Sequence, residues 1–195
     1  MLDLGCGSGD LTALLVDDPR LSMVALDLSA SALGRFRASY PNGLPSTLGL
    51  ARASVYELPF RDGTFDAVVS FGYASAASYN GAEREVARVL RPGGIAVIDF
   101  ANPSLYHWLA SPLPTLRWYR RYRASREAQY HFGWRGLREH FEPAGLRFDT
   151  CRYVNAYPPL QALADRTWCA PMDRFLATLA GPLLGRITIA RFRRM

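Results

Sequence analysis

A glycine-rich stretch near the start of the chain, Asp3-Leu4-Gly5-Cys6-Gly7-Ser8-Gly9, stands where an apolar run gives way to helical spacing. Glycines at such a place let the backbone turn sharply and approach a ligand, and the first N–H groups of the following helix bind its polar or anionic end. The spacing is GxGxG, and Asp10 occupies the place of the third glycine in a dinucleotide fingerprint. Because its carboxylate would repel a pyrophosphate, the loop disfavours NAD and FAD.

A second chemical signal is Asp27, which follows Gly9 by 18 residues at the end of a second apolar run. A carboxylate at the end of this strand can accept hydrogen bonds from both hydroxyls of a ribose. The glycine loop and this acid together predict a site for an adenosine-containing cofactor.

The elements that must position these residues alternate between short apolar runs and helical spacing as far as Pro103. This pattern predicts βαβ units, with a parallel sheet and helices on both faces. The predicted strands are Leu2–Leu4, Met23–Leu26, Leu48–Arg52, Phe65–Ser70 and Ile95–Phe100. The predicted helices are Gly9–Val16, a segment capped by Ser29 that runs towards Ser39, and Ala82–Leu90, which Arg91-Pro92-Gly93-Gly94 should stop.

Beyond Pro103 the chain becomes rich in arginine and aromatic residues. The predicted elements there are a helix at Trp134–Glu142, a strand at Leu146–Tyr153, helical stretches up to Leu184 and a strand at Ile187–Phe192. We expect the last two strands to pair as an antiparallel edge. The chain is predicted to be one domain, with a cofactor-binding half at 1–103 and a substrate-side insert and C-terminal strands at 104–195.

Composition narrows the class of protein. A chain of 195 residues has room for one compact core, and no apolar run approaches the roughly 18 residues of a membrane span. No secretory signal is visible, so a cytoplasmic location is expected. The three cysteines, Cys6, Cys151 and Cys169, are scattered and have no zinc-ligand spacing, so no metal is expected.

Positive charge is concentrated in the second half of the chain. Residues 1–100 contain 8 Arg against 11 acids, and residues 101–195 contain 15 Arg against 6 acids. Such a field attracts an anionic substrate, an anionic membrane surface or nucleic acid. The segment Leu116–Arg126 combines arginines with aromatic residues. It has three interpretations: a solvated helix with its aromatic side on the core, a contact with an anionic substrate or a membrane, and, last, nucleic-acid binding.

With these motifs the sequence resembles the class I S-adenosylmethionine-dependent methyltransferases, especially the type 11 group of ubiquinone and menaquinone C-methyltransferases. The resemblance covers residues 1 to about 100 and rests on LDLGCGSG, on Asp27 in ALDLS, on LPFRDGTFDAVVS and on EVARVLRPGG. It implies a Rossmann-like, mostly parallel seven-stranded sheet with helices on both faces and an antiparallel C-terminal edge strand. It also implies S-adenosylmethionine as the cofactor.

The resemblance implies roles for particular residues. The loop residues Asp3, Gly5, Cys6, Gly7 and Gly9 would hold the methionine moiety. Asp27 would hold the ribose, and Leu28 would pack on the adenine. Ser54, followed by Val55, stands where relatives carry an acid that contacts the adenine amino group. Phe71 would contact the amino-acid end of the cofactor through its backbone, and the segment Gly72–Tyr79 would face the acceptor.

Methyl transfer is an in-line displacement that needs a base only when the acceptor keeps a proton. His131 and Tyr73, with Tyr130 and His107, are candidates without motif support, so the catalytic residue stays unassigned. For His131 a packed or solvent-facing histidine is the simpler interpretation.

The sequence therefore predicts a methyltransferase acting on a small-molecule or lipid-precursor acceptor, with peripheral membrane contact left open and nucleic acid disfavoured. The alternatives are a non-catalytic S-adenosylmethionine-binding protein and a methyltransferase of RNA or of lipid amines. Relatives carry a helical segment ahead of the first strand, whereas this sequence opens inside that strand. We therefore expect an N-terminal segment to be missing, as happens when a GTG valine codon is read as a start.

Overall fold

The computed structural model describes residues 1–71, 81–101, 134–154 and 187–195. Seven strands lie in these ranges: β1 Leu2–Leu4, β2 Met23–Asp27, β3 Leu48–Arg52, β4 Phe65–Ser70, β5 Leu90–Ala101, β6 Leu146–Val154 and β7 Ile187–Arg194. The helices there are α1 Asp10–Leu15, α2 Ala30–Ala38, α3 Ala82–Val89 and α4 Trp134–Phe141, with a 3-10 turn at Glu142–Ala144. The type of each strand and α-helix agrees with the prediction from sequence, whereas the 3-10 turn was not predicted.

The strands form one sheet in the order β3-β2-β1-β4-β5-β7-β6. Strands β1 to β5 run parallel to one another, whereas β7 runs antiparallel to both β5 and β6. The predicted mostly parallel sheet with an antiparallel C-terminal edge is therefore confirmed. Within that edge pair, β7 lies between β5 and β6, and β6 is outermost.

Neighbouring residues of a strand point to opposite faces of the sheet, and apolar clusters lie on both faces, the smaller one beside β2 and β3. On β2, Leu26 belongs to the larger core cluster, whereas Ala25 belongs to the smaller one. The larger cluster contains the apolar side chains of α3 and α4, including Val86, Leu137 and Phe141. The smaller contains Phe36 of α2, Val16, Met23 and Leu48. The larger cluster packs α3 and α4 on one face of the sheet, and the smaller packs α2 on the other face.

Local signals explain where the helices begin. Ser29 caps α2, its Oγ accepting a hydrogen bond from Ala32 N at 3.2 Å, as its side chain predicts. At α3 the cap is Gly81, whose backbone has the left-handed φ of 102° and whose N–H donates to Glu83 Oε2 at 2.7 Å. A carboxylate in the first turn of a helix also complements the helix dipole.

The prediction that Arg91–Gly94 stops α3 is wrong, because these four residues lie inside β5. The helix ends at Val89, and β5 begins already at Leu90, five residues before the predicted Ile95. Leu90 pairs with Phe65, and regular pairing resumes at Ile95 opposite Ala67. The four residues between them therefore form a bulge inside β5, which accommodates the left-handed φ of 75° at Gly93.

No helix in the described ranges is long and apolar enough to cross a membrane.

Candidate functional site

The sheet order reverses between β1 and β4, because the chain proceeds outward from β1 to β3 on one side and from β4 to β5 on the other. Ligands of open α/β sheets bind in the crevice outside the carboxyl ends of the strands at such a switch point. The glycine loop follows β1, Asp27 ends β2, Ser54 follows β3 and Phe71 follows β4. The structure thus brings the four predicted parts of the site to one edge of the sheet.

Backbone hydrogen bonds hold the glycine loop against β2. The N–H groups of Gly5 and Cys6 both donate to the carbonyl oxygen of Leu26, at 2.8 and 3.0 Å. Gly5, Gly7 and Gly9 have φ angles of 76°, 56° and 91°, all in the left-handed region that favours glycine. The alternation of glycines therefore follows from the backbone path of the loop.

Gly7 and Gly9 differ in what a side chain would meet. A Cβ at Gly7 would have no atom within 4 Å, whereas a Cβ at Gly9 would lie 2.4 Å from a ring carbon of Phe36. Gly9 therefore permits the close packing of the loop on α2. Gly7 leaves open space beside its backbone at the carboxyl edge of the sheet.

Asp27 is held by two backbone donors. Its Oδ2 accepts a hydrogen bond from Gly7 N at 2.8 Å, and its Oδ1 accepts one from Ser29 N at 2.8 Å. A carboxylate has about four acceptor positions, so each oxygen retains capacity for one further donor. The half-buried carboxylate is thus fixed in orientation and still able to accept the two hydroxyls of a ribose.

Asp3 is a second carboxylate below the loop. It is 2 % exposed, and its Oδ2 accepts a hydrogen bond from Thr12 Oγ1 at 2.5 Å. Burial raises the pKa of Asp3, the bond from Thr12 acts against that rise, and the nearby charge of Asp27 adds to it. Two neighbouring carboxylates give this edge a negative field, which suits a ligand that carries positive charge.

Cys6, inside the loop, is not a reactive thiol. Burial, followed by the charges of Asp3 and Asp27, raises the pKa of Cys6 to about 12. A thiol with so high a pKa stays protonated at neutral pH and is a poor nucleophile. The geometry thus agrees with the interpretation of Cys6 as a small packing residue.

On the predicted adenine side of the site, one side chain is exposed and two already make contacts within the protein. Leu28 is 63 % exposed, and its carbonyl oxygen accepts a hydrogen bond from Arg52 Nε at 3.1 Å. Val55 is 5 % exposed and belongs to the core. Ser54 closes its own turn, since its Oγ accepts a hydrogen bond from Tyr56 N at 3.3 Å. Leu28 is thus the side chain of the three that is open to a ligand.

The end of β4 is tied to the end of β1 by a residue that sequence reasoning did not single out. Ser70 is fully buried, and its Oγ donates to the carbonyl oxygen of Leu4 at 2.7 Å. This bond fixes the point from which Phe71, half-buried at the edge of the sheet, extends. The signal was a serine among the apolar residues of a central strand, where a buried hydroxyl needs a partner.

A second residue that sequence reasoning missed holds the LPFRDG segment in place. Arg88 on α3 donates to the carbonyl oxygens of Leu58 and Phe60 at 2.9 and 2.7 Å and to Asp62 at 2.9 Å. It also pairs with Glu85 at 2.7 Å, and Glu85 Oε2 accepts from Leu58 N at 2.7 Å. The arginine and glutamate of EVARVL therefore position the loop that follows β3.

Several predicted residues lie outside the described ranges. They are Tyr73, His107, Tyr130, His131 and Cys169, with the segments Gly72–Tyr79 and Leu116–Arg126. Among the described residues, no group of three or more His, Cys, Asp or Glu side chains is placed to hold a metal ion.

Comparison with known proteins places the resemblance in the first half of the chain. Residues 1–94 match the family of methyltransferase domains. The demethylmenaquinone methyltransferase of Listeria welshimeri is 32% identical over 112 residues, which are 55% of this chain and 48% of that protein. The ubiquinone/menaquinone biosynthesis C-methyltransferase of Klebsiella pneumoniae is 38% identical over 109 residues, 53% and 43% of the two chains. The chain thus spans a little under half the length of these curated relatives.

Solved structures extend the similarity of fold over the whole chain. A crystal structure of an S-adenosylmethionine-dependent methyltransferase from Methanosarcina mazei superposes with a TM-score of 0.67 at 15% identity. The superposition covers 100% of this chain and 91% of that chain. At this identity the similarity establishes the fold.

Proposed function

We propose that the chain, whose residues 1–94 match the family of methyltransferase domains and resemble two quinone methyltransferases, is a class I enzyme that transfers a methyl group from S-adenosylmethionine to a small-molecule or lipid-precursor acceptor. The observation that carries the proposal is the carboxylate of Asp27, oriented by Gly7 N and Ser29 N with one acceptor position left on each oxygen. A ribose needs this pair of acceptors.

The carboxylates around the glycine loop also suit the positive charge of this cofactor. When bound, S-adenosylmethionine supplies a sulfonium methyl group that a nucleophilic acceptor atom can displace. The buried Asp3 and the half-buried Asp27 surround the loop with negative charge, which stabilises a cation more than a pyrophosphate. Cys6 remains a neutral thiol that does not compete as a nucleophile.

We propose the following cofactor-binding residues: Asp3, Gly5, Cys6, Gly7 and Gly9 for the methionine moiety, Asp27 for the ribose, Leu28, Ser54 and Val55 for the adenine, and Phe71 for the amino-acid end. Since the side chain of Val55 is packed in the core and that of Ser54 closes a turn, these two would contribute backbone groups. The exposed Leu28 would contribute its apolar surface.

The acceptor is proposed from the relatives. Two of them are named for demethylmenaquinone and for ubiquinone and menaquinone biosynthesis, which favours a hydroquinone-like ring whose carbon accepts the methyl group. The acceptor site would involve residues of the second half, 104–195, where most of the arginines occur. Fold alone does not determine the acceptor.

The first test is isothermal titration with S-adenosylhomocysteine, beside NAD as a control ligand, for the native chain, Asp27→Asn and Asp66→Asn. An asparagine at 27 places an NH2 group against a backbone N–H and removes the charge, and each charge-assisted bond contributes about 1.5–3 kcal/mol. We expect Asp27→Asn to weaken binding on the order of tenfold or more. Asp66, near the opposite end of β4 and 69% exposed, is the matched control and should leave the affinity unchanged.

Equal affinity of the native chain and Asp27→Asn, or tight binding of NAD, would refute the proposed cofactor site. Turnover is then tested with labelled S-adenosylmethionine and a panel of a naphthohydroquinone, a catechol, a lipid amine and RNA. Transfer to the naphthohydroquinone supports the proposed acceptor class. Binding of the cofactor without transfer to any acceptor would identify a non-catalytic binding protein instead.

A further inference from the structure

One face of the sheet beyond β4 carries exposed arginines at regular cross-strand positions. Residues that pair across strands point to the same face: Arg193 of β7 is paired with Arg147 of β6 and with Ile95 of β5. Arg191 is likewise paired with Val97, and Arg152 of β6 with Ile189 of β7. We call this set the basic face, and it consists of Arg147, Arg152, Arg191 and Arg193 with the aliphatic side chains of Ile95, Val97 and Ile189.

The opposite face of the same strands is the hydrophobic core, so the orientation of the basic face is fixed. Ala190 and Phe192 alternate with the arginines along β7 and are fully buried, and Phe192 stacks on Phe141 of α4 with ring centroids 4.5 Å apart. A one-residue slip of β7 would bury the arginines. Their exposure is therefore a consequence of the register that the core imposes.

Charge on the basic face is only partly balanced. Asp149 lies 2.7 Å from Arg191 and 3.9 Å from Arg193, and Asp99 lies beside Ile189 at the far end. Within the described part of the chain, Arg147 and Arg152 have no carboxylate at ion-pair distance. Arg147 and Arg193 stand directly opposite each other, an arrangement that destabilises a sheet through like-charge repulsion. An external anion would relieve that repulsion.

Partly exposed aliphatic residues separate the arginines. Ile95, Val97 and Ile189 are neither fully buried nor fully exposed, although strands inside a largely parallel sheet are usually covered on both faces. Guanidinium groups suit phosphate geometry, and branched aliphatic side chains suit the acyl boundary of a bilayer. Surfaces that bind single-stranded nucleic acid use aromatic stacking platforms, and the basic face has none among its described residues. A second copy of this basic chain would bring like charges together.

We propose that the basic face binds an anionic bilayer surface. The arginines would contact lipid phosphates, while the aliphatic side chains between them would contact the outer acyl region. This proposal concerns a face of β5, β7 and β6, whereas the cofactor site lies at the carboxyl edge beside β1 and β2. The two can therefore fail independently.

The test is vesicle flotation of the full chain with phosphatidylcholine vesicles that contain or lack phosphatidylglycerol, at low and at raised salt. The variant Arg147→Gln/Arg193→Gln removes the directly opposed pair. The matched control is Arg35→Gln/Arg37→Gln, which removes two exposed arginines from α2 and changes the net charge equally. Thermal unfolding and titration with S-adenosylhomocysteine establish that each variant is folded and keeps its cofactor site.

We expect the native chain to float with the anionic vesicles at low salt and to be released as salt rises. Affinity should fall on the order of tenfold in Arg147→Gln/Arg193→Gln and by no more than about twofold in the control. The proposal is overturned by equal binding to neutral vesicles, by equal weakening in the control, or by no binding at low salt. It is also overturned if RNA, but not vesicles, binds in a way that depends on Arg147 and Arg193.

Discussion

The glycines of the loop provide a prediction whose size can be worked out from the structure. Gly9→Ala places a methyl group 2.4–2.6 Å from three ring carbons of Phe36, on a backbone with φ of 91°. A left-handed backbone costs an alanine roughly 1–2 kcal/mol, and forcing a methyl group into a packed core costs about 1–3 kcal/mol more. For a domain of this size the melting temperature should fall by roughly 5–15 °C.

Gly43→Ala is the matched control for the backbone strain. Its φ of 93° is nearly that of Gly9, but a Cβ there would meet no atom within 4 Å. The difference in melting temperature between Gly9→Ala and Gly43→Ala therefore isolates the contact with Phe36. The double variant Gly9→Ala/Phe36→Leu should be more stable than the sum of its single changes by about 1–3 kcal/mol, because the smaller side chain makes room for the methyl group.

Gly7→Ala should weaken cofactor binding and have little effect on stability. With φ of 56° and open space around its Cβ position, alanine should lower the melting temperature no more than Gly43→Ala does. Titration with S-adenosylhomocysteine should instead show affinity reduced on the order of tenfold, since the methyl group would occupy the approach to the loop backbone. If Gly9→Ala unfolds within about 1–2 °C of Gly43→Ala, the packing of the loop on Phe36 is not as described. If Gly7→Ala leaves affinity unchanged, the loop does not approach the cofactor there.

Two further predictions concern stability. Arg88→Gln should lower the free energy of unfolding by about 2 kcal/mol, because four protein groups lose a charged donor. Arg84→Gln, on the exposed side of α3, is the control and should change the free energy of unfolding by less than about 0.5 kcal/mol. Similar denaturation midpoints for the two variants would contradict this prediction. Burial raises the pKa of Asp3 above its ordinary value of 3.8, so ionising Asp3 lowers the stability of the native state as pH rises from the ordinary towards the raised pKa, and this cost is present at neutral pH. Asp3→Asn should therefore raise or preserve the melting temperature at neutral pH and lose that advantage in acid. It should also weaken binding of S-adenosylhomocysteine. A melting temperature of Asp3→Asn below that of the native chain at neutral pH would contradict the expected direction of the stability change.

Much of the first half was predictable from the sequence because local and long-range signals agree there. Ser29 caps α2 as its side chain predicts, and Asp27 ends β2 at the edge where the glycine loop lies. Each of these features depends on a few neighbouring residues.

Features that depend on distant partners were not predictable. The pairing of Leu90 with Phe65 turns a predicted helix stop into a bulge inside β5, and nothing near Leu90 in the sequence signals that partner. Asp3 and Thr12 meet because α1 returns over the end of β1, and Ser70 of β4 bonds to the carbonyl oxygen of Leu4 on the neighbouring strand β1. A single sequence gives the residue types that need partners, but the fold decides which partners they find.

The position of β7 between β5 and β6 also dictates an order of assembly. Among the described strands, β6 bonds only to β7, which follows it in the chain, so β6 has no place in the sheet until β7 has been synthesised. Until then β5 presents an open strand edge, which is a template for intermolecular pairing. The bond between Arg193 and Gly93 joins residues 100 positions apart, and such non-local contacts form slowly. A nascent chain interrupted before β7 would therefore lose two strands of the sheet rather than one, and chaperone dependence during synthesis should concentrate in that interval.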